Sequence, residues 1–351
     1  MDYKRVLLLF PKWLTIADTI KLGFELNNWD VDLYDVNKEI TKIKDKIHIH
    51  YQNFPYKVRQ KWFDFFTEPL NLKQLELFKA FKPNLVIAYN GMFLSIDTIK
   101  EMQRSAKVCF FLGDSPFYTP RNDYYLPCLM QVDYLLCPDS YWENQFKGMG
   151  HSGTLYFQIA SNPVIRYRKK VTEQEKKEWG SDLIFVGSNY TTAAGYKRAY
   201  FLNQFSRQDI KIYTNKKFSR WFSYFPELEG KVVFLQQRIS ETDLNTMLNC
   251  CKIYPVDANP GLINGIHLRI FECKVSGILP IAEYRKDVKN IFGPVGLPII
   301  DNYNKGAEIA EYYLKHEKER FDIIDNLRNF TEKNFSPQIA IGNLLDSINF
   351  N

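Results

Sequence analysis

Short apolar runs alternate with amphipathic stretches along the 351-residue chain. In the first half the runs are residues 5–10, 31–34, 84–89, 107–112, 134–137 and 155–158. Each is four to six residues long and nearly continuous in apolar character, the pattern of a strand covered on both faces. Residues 18–27, 72–81, 96–105 and 141–149 lie between them and have helix length and helix periodicity. The second half repeats the rhythm, with strands predicted at 183–186, 210–213, 232–235, 252–256, 278–282 and 297–300. Helices are predicted there at 196–205, 241–249, 267–276 and 306–316. Alternating strands and helices build βαβ units with right-handed crossovers, hence parallel sheets. The segment 37–67 is polar and aromatic, breaks the rhythm, and predicts an extra helix or loop.

The length exceeds the roughly 250–300 residues at which a single core stops growing. The pattern therefore predicts an α/β protein of two Rossmann-like, doubly wound domains facing a cleft. The charged, apolar-poor stretch 172–179 and the basic run 166–170 read as a solvated linker, with the boundary between 163 and 180. The expected division is 1–165, 166–335 and a final segment 336–351, a helix that crosses back onto the first domain.

Composition narrows the classes. Hydrophobic residues at 45% and charged residues at 25% are ordinary for a globular protein, whereas aromatics reach 16%, enough to fill cores and also to line a cleft. A net charge of +6 suits phosphate-bearing partners or an anionic membrane surface and selects neither. No Lys/Arg block of nucleic-acid type occurs, so no nucleic acid is expected. No apolar run reaches the roughly 18 residues of a membrane span. The run at 5–10 ends too soon at Pro11-Lys12 for a signal peptide. The expectation is a cytoplasmic protein, with peripheral membrane contact left open. The six cysteines (109, 128, 137, 250, 251 and 273) lack metal-type spacing and read as reduced buried thiols. With no His/Cys cluster either, no metal is expected. Asp30-Val31-Asp32 has the form of an Asp-x-Asp metal site but straddles the start of a strand, the wrong end for a ligand.

The most informative stretch runs from Asn259-Pro260-Gly261 through Asn264-Gly265-Ile266-His267-Leu268-Arg269 to Glu272. A strand precedes it and a helix follows. In doubly wound sheets ligands bind beyond the carboxyl ends of the strands. A glycine-containing loop there lets backbone N–H groups approach an anion. Arg269, in the first turn, is placed to add charge-assisted hydrogen bonds to a pyrophosphate. Glu272, three residues on along the same face, suits the two hydroxyls of a ribose. The same spacing also fits an ordinary Arg–Glu pair within a helix. A second candidate is Gly187-Ser188-Asn189, directly after a strand, with Lys197 and Arg198 opening the next helix within reach of donor phosphates. A plain turn with solvated bases is the alternative. Asn189-Tyr190-Thr191 is also a glycosylation sequon, discounted for its place in that loop.

The second half resembles the group 1 glycosyltransferases, in particular the branch related to spore-maturation proteins. The matching pieces are Asp182 through Tyr190, Lys197-Arg198, the strand ending at Val256, and His267-Leu268-Arg269-Ile270-Phe271-Glu272. Gly277-Ile278-Leu279-Pro280-Ile281, residues 287–292 and the tail 312–320 continue the match in the same order. The first half matches more loosely, through Cys109 to Pro116 and Asp133 to Cys137. The resemblance implies the GT-B fold and sugar transfer from a nucleotide-sugar donor, with a UDP-sugar expected. It implies that Glu272 binds the donor ribose and that Arg269 and Arg198 hold the pyrophosphate. It also implies that the loops Tyr213-Thr214-Asn215 and Gln236-Gln237-Arg238 face the base. The acceptor is expected to be a glycan, lipid-linked or protein component of a bacterial surface or envelope. Many retaining members carry a second Glu eight positions before the ribose Glu; here that position is Asn264.

An inverting enzyme needs a general base near the acceptor hydroxyl. Asp114, in Gly113-Asp114-Ser115-Pro116 after a strand of the first half, is the first candidate, and Asp139, in Pro138-Asp139-Ser140, the second. Either could equally be a turn or capping residue. Gly187, Ser188, Asn189, Arg198, Asn264, Gly265, His267, Arg269 and Glu272 form the expected donor set. Two alternatives stand beside transfer: a nucleotide-sugar epimerase of the same architecture, and a catalytically silent relative that only binds nucleotide-sugars.

Overall fold

The structure is a computed structural model that describes residues 4–40, 47, 50–91, 93–117, 125–190 and 192–350. Two compact units form, Met1–Ile159 with Pro337–Asn351, and Ala160–Ser336. In the first, β1 (Arg5–Leu9), β2 (Asp30–Tyr34), β3 (Leu85–Tyr89), β4 (Lys107–Phe111), β5 (Tyr134–Cys137) and β6 (Thr154–Tyr156) make one parallel sheet in the order β2-β1-β3-β4-β5-β6. Its helices among the described residues are α1 (Thr15–Leu26), α2 (Tyr56–Phe81), α3 (Ile96–Gln103), α4 (Tyr125–Gln131) and α5 (Ser140–Gly148). The inner strands are buried on both faces, from Val6, Leu7 and Leu8 to Val86, Ile87 and Phe110, which is why their sequences run apolar without alternation.

In the second unit, α6 (Glu173–Trp179) precedes β7 (Ser181–Val186), followed by α7 (Ala193–Asn203), β8 (Ile210–Thr214), β9 (Val232–Phe234), α8 (Glu241–Asn249) and β10 (Cys251–Val256). Then come α9 (Arg269–Val275), β11 (Leu279–Glu283), α10 (Lys286–Phe292), β12 (Ile299–Ile300), α11 (Gly306–Lys315) and α12 (Glu317–Phe335). The sheet order is β12-β11-β10-β7-β8-β9, again all parallel. Strand order reverses between β7 and β10, so the loops leaving those two strands flank the topological switch point. The last helix, α13 (Pro337–Ser347), returns to the first unit and packs along α1.

Three stretches differ from expectation. Residues 166–170 are only partly solvated: Arg166 is buried and ion-paired, while Tyr167, Arg168 and Lys170 are exposed. Residues 173–179 are helical because Thr172 and Glu175 form a reciprocal capping box, which the Thr-x-x-Glu spacing encodes. Helix α2 begins inside the irregular stretch 37–67 and takes up its last part, from Tyr56 on; residues 41–46 and 48–49 of that stretch lie outside the described residues. Its buried face mixes Phe63, Phe66, Leu70 and Phe78 with Thr67, Asn71 and Gln74, so the hydrophobic period is masked by polar residues. The sequon at 189–191 ends on Thr191, also outside the described residues.

Candidate functional site

The second unit brings its candidate residues together at the switch point. The Tyr254 hydroxyl donates to the Val186 carbonyl at 2.8 Å and accepts from the Val186 N–H at 3.0 Å, tying the ends of β7 and β10. Burial, ahead of any charge nearby, pushes the Tyr254 phenol far up, so it stays neutral. Gly187 follows at once. A Cβ there would lie 2.6 Å from Nη2 of Arg269, so the glycine makes room for that guanidinium. Arg269 rests over the Phe185 ring at 5.0 Å and the Tyr254 ring at 5.8 Å, with Nη1 3.5 Å from Asp257 Oδ1. Burial disfavours its charge, but Tyr254, Asp257 and Glu272 outweigh that, and its pKa is raised.

Asp257, the first residue after β10, also receives Nε of Arg198 at 2.6 Å. Arg198 is 3% exposed, donates to the Ser188 carbonyl, and lies 4.3 Å over the Tyr190 ring. The carboxylate of Asp257 thus draws two guanidiniums from two helices onto one point beneath the Gly187–Ser188 loop. Lys197 reaches Glu283 at 2.6 and 2.8 Å. Glu283 ends β11 and also accepts from Tyr303 Oη at 2.8 Å, Arg285 at 3.0 Å and the Ala258 N–H at 2.9 Å. Lys197 and Arg198 are therefore committed to buried carboxylates rather than standing as solvated bases. Sequence reasoning missed both carboxylates. Their signal was position, an acid at the carboxyl end of an apolar strand.

His267 precedes α9, and its Nδ1 accepts the Arg269 backbone N–H at 3.1 Å. Burial, then Arg269 and Arg198, push its pKa well below the usual histidine value. The neutral ring therefore carries its proton on Nε2 and offers a donor there. Arg269 pairs with Asp257, not with Glu272 one turn on. Glu272 lies instead 3.7 Å from Nη2 of Arg166, which also pairs with Glu241. In the loop before α9, the Asn264 carbonyl accepts from Asp287 N at 3.0 Å and Gly265 is buried. Asn189 is buried, and its Oδ1 accepts from Trp221 Nε1 at 3.0 Å. Its Nδ2 has no partner among the described residues. Of the expected base-facing loops, Asn215 caps its own turn and Arg238 pairs with Glu241 at 2.9 Å.

The two candidate bases belong to the first unit and are of different kinds. Asp139 is fully buried and caps α5, accepting from Tyr141 N at 2.7 Å. Its carboxylate is thus engaged in capping α5. Asp114 is partly exposed just beyond β4, with Oδ2 accepting from Asn90 Nδ2 at 2.9 Å. Asp30 of the Asp-x-Asp stretch begins β2 and lies 3.7 Å from Arg5. No group of acids, histidines and cysteines able to hold a metal occurs among the described residues.

No protein-family model matches the chain, and no curated protein matches it in sequence. Its structure is similar to GT-B glycosyltransferases, and two doubly wound parallel sheets are the architecture they share. Anabaena Alr3699/HepE in complex with UDP and glucose matches over 99% of this chain and 100% of that chain, with TM-score 0.68 and 11% identity. Sucrose-phosphate synthase from Thermosynechococcus elongatus matches over 98% and 99%, with TM-score 0.70 and 10% identity. The α,α-trehalose-phosphate synthase (UDP-forming) from Burkholderia vietnamiensis matches over 99% and 98%, with TM-score 0.64 and 11% identity.

Proposed function

We propose that the protein is a glycosyltransferase that takes a sugar from a UDP-sugar and passes it to a glycan, lipid-linked or protein acceptor of a bacterial envelope. The observation that carries the reading is the Arg198–Asp257–Arg269 cluster beneath the Gly187 loop, at the switch point of a GT-B sheet. Similar solved structures hold UDP with glucose or UDP-glucose, which supports the choice of base. In this reading Arg269 contacts the diphosphate and its fixed positive charge stabilises the leaving group without a metal ion. Nε2 of His267 donates to the donor, and Glu272 accepts the ribose hydroxyls. Arg198 is a positioning residue that holds the Ser188 carbonyl and Asp257. The order of motifs from Asp182 to Arg320 supports the spore-maturation-related branch.

Asp114 is the proposed base on the acceptor side. Asn264, in place of the second Glu of retaining members, favours inversion. We place the protein in the cytoplasm; among the described residues no helix is long and apolar enough to cross a membrane. The test is UDP release from UDP-glucose and other UDP-sugars in the presence of envelope acceptors. Asp114→Asn is expected to abolish transfer and leave UDP binding intact. Full transfer by that variant would remove Asp114 from the mechanism.

A further inference from the structure

The loop after β3 is unusual in its backbone. Asn90 sits at φ 48°, Gly91 at φ 75° and Phe93 at φ 65°. Non-glycine residues seldom occupy this left-handed region, and asparagine tolerates it best. Bulky Phe93 does not, and backbone strain of this kind clusters at functional sites. Other groups hold the loop. The Asn90 N–H donates to the Phe111 carbonyl at 2.8 Å, Asn71 Nδ2 donates to the Phe93 carbonyl at 3.0 Å, and Phe93 packs edge-on against Phe66.

The left-handed turn aims the Asn90 side chain at the end of β4. Its Oδ1 accepts from the Gly113 N–H at 2.9 Å and the Asp114 N–H at 3.4 Å, while its Nδ2 donates to Asp114 Oδ2 at 2.9 Å. One amide therefore grips both the backbone and the carboxylate of Asp114. The Tyr89 ring lies across Gly113, where a Cβ would come within 2.2 Å of it, so only glycine lets the two loops close this tightly.

We propose that Asn90 is the positioning residue of the acceptor-side base, fixing both where the Asp114 backbone stands and which way its carboxylate turns. The inference rests on the reading of Asp114 above and adds how that carboxylate is held. A base must stand within hydrogen-bond reach of the proton it takes, and misplacement by an ångström costs on the order of 100-fold in rate.

Two substitutions separate positioning from folding. Asn90→Gly keeps the left-handed backbone and deletes the amide, whereas Asn90→Ala loses both. With UDP-glucose and the acceptor in use, Asn90→Gly is expected to lower kcat by roughly 10- to 100-fold with the donor KM unchanged. A purely structural role would be rescued by glycine. Amide hydrogen exchange reads the grip without turnover: exchange at Gly113 and Asp114 is expected to quicken in Asn90→Gly while the β4 amides stay protected. Wild-type kcat in Asn90→Gly, or unchanged exchange at Gly113, would overturn the proposal. If Asp114→Asn itself transfers normally, the base assignment is what fails, whatever Asn90 does.

Discussion

Gly187 is the smallest residue at the site and leaves room for the Arg269 guanidinium. A methyl added to it meets the far end of Arg269, a flexible side chain, rather than backbone. Gly187→Ala is therefore expected to leave the fold intact and weaken UDP binding by about 10-fold as the guanidinium shifts, roughly the loss of one modest hydrogen bond. Equal affinity in that variant would separate Gly187 from the site. Glu272 makes a chemically distinct prediction. If it accepts the ribose hydroxyls, wild type prefers UDP over 2′-deoxy-UDP and Glu272→Ala loses the preference. A ratio unchanged by the substitution would remove Glu272 from ribose recognition. His267 links the site to stability. Its folded pKa lies well below the usual value, so below about pH 6.5 the unfolded chain binds a proton that the folded chain refuses. Above that pH the group leaves stability unchanged because both states are neutral, and stability falls as the pH drops toward the folded pKa. Denaturant midpoints measured from pH 7 to 5 should fall less steeply for His267→Gln than for wild type. Parallel slopes would contradict the neutral assignment.

At the scale of elements, α13 depends on a single glycine of α1. A Cβ on Gly23 would stand 2.4 Å from Ile341 Cγ1 and 2.5 Å from the Pro337 carbonyl oxygen, which is backbone and cannot yield cheaply. Gly23→Ala is expected to destabilise the first unit by about 1–3 kcal/mol through overpacking, while UDP affinity is unchanged. Urea unfolding followed beside a UDP titration checks both halves of that statement. All twelve strands among the described residues were legible in the sequence, the inner ones most clearly, because parallel strands buried on both faces leave unbroken apolar runs. Helix α2 was only partly legible, since Asn71 and Gln74 occupy its inner face, the former bonding Phe93 and Ser95 across the fold. Helix α6 was hidden by charge, though its capping box was readable. The loops beyond β7 and β10 were legible as a glycine and an arginine after two strands. Their buried counterions were not, because Asp257 pairs with Arg198 across 59 positions and Glu283 with Lys197 across 86. No local pattern announces such a pairing.

Across the whole molecule, the proposed roles divide by unit. The residues read as donor contacts belong to Ala160–Ser336, and Asp114 with Asn90 to Met1–Ile159. Substitutions in the second unit should therefore change donor affinity, and those at Asn90 or Asp114 should change turnover alone. Burial pushes the Cys128 and Cys251 thiols up to about 11, so they are protonated at neutral pH. The net charge of +6 suits a phosphate-bearing ligand, but it is Arg269, fixed against Asp257 and two rings, that gives the charge a place. The most direct measurement is isothermal titration of UDP into wild type and Arg269→Ala. A lost charged hydrogen bond costs about 1.5–3 kcal/mol, so the variant should bind UDP roughly 10- to 150-fold more weakly. Binding by Arg269→Ala as tight as wild type, or no UDP binding by either protein, would contradict the site.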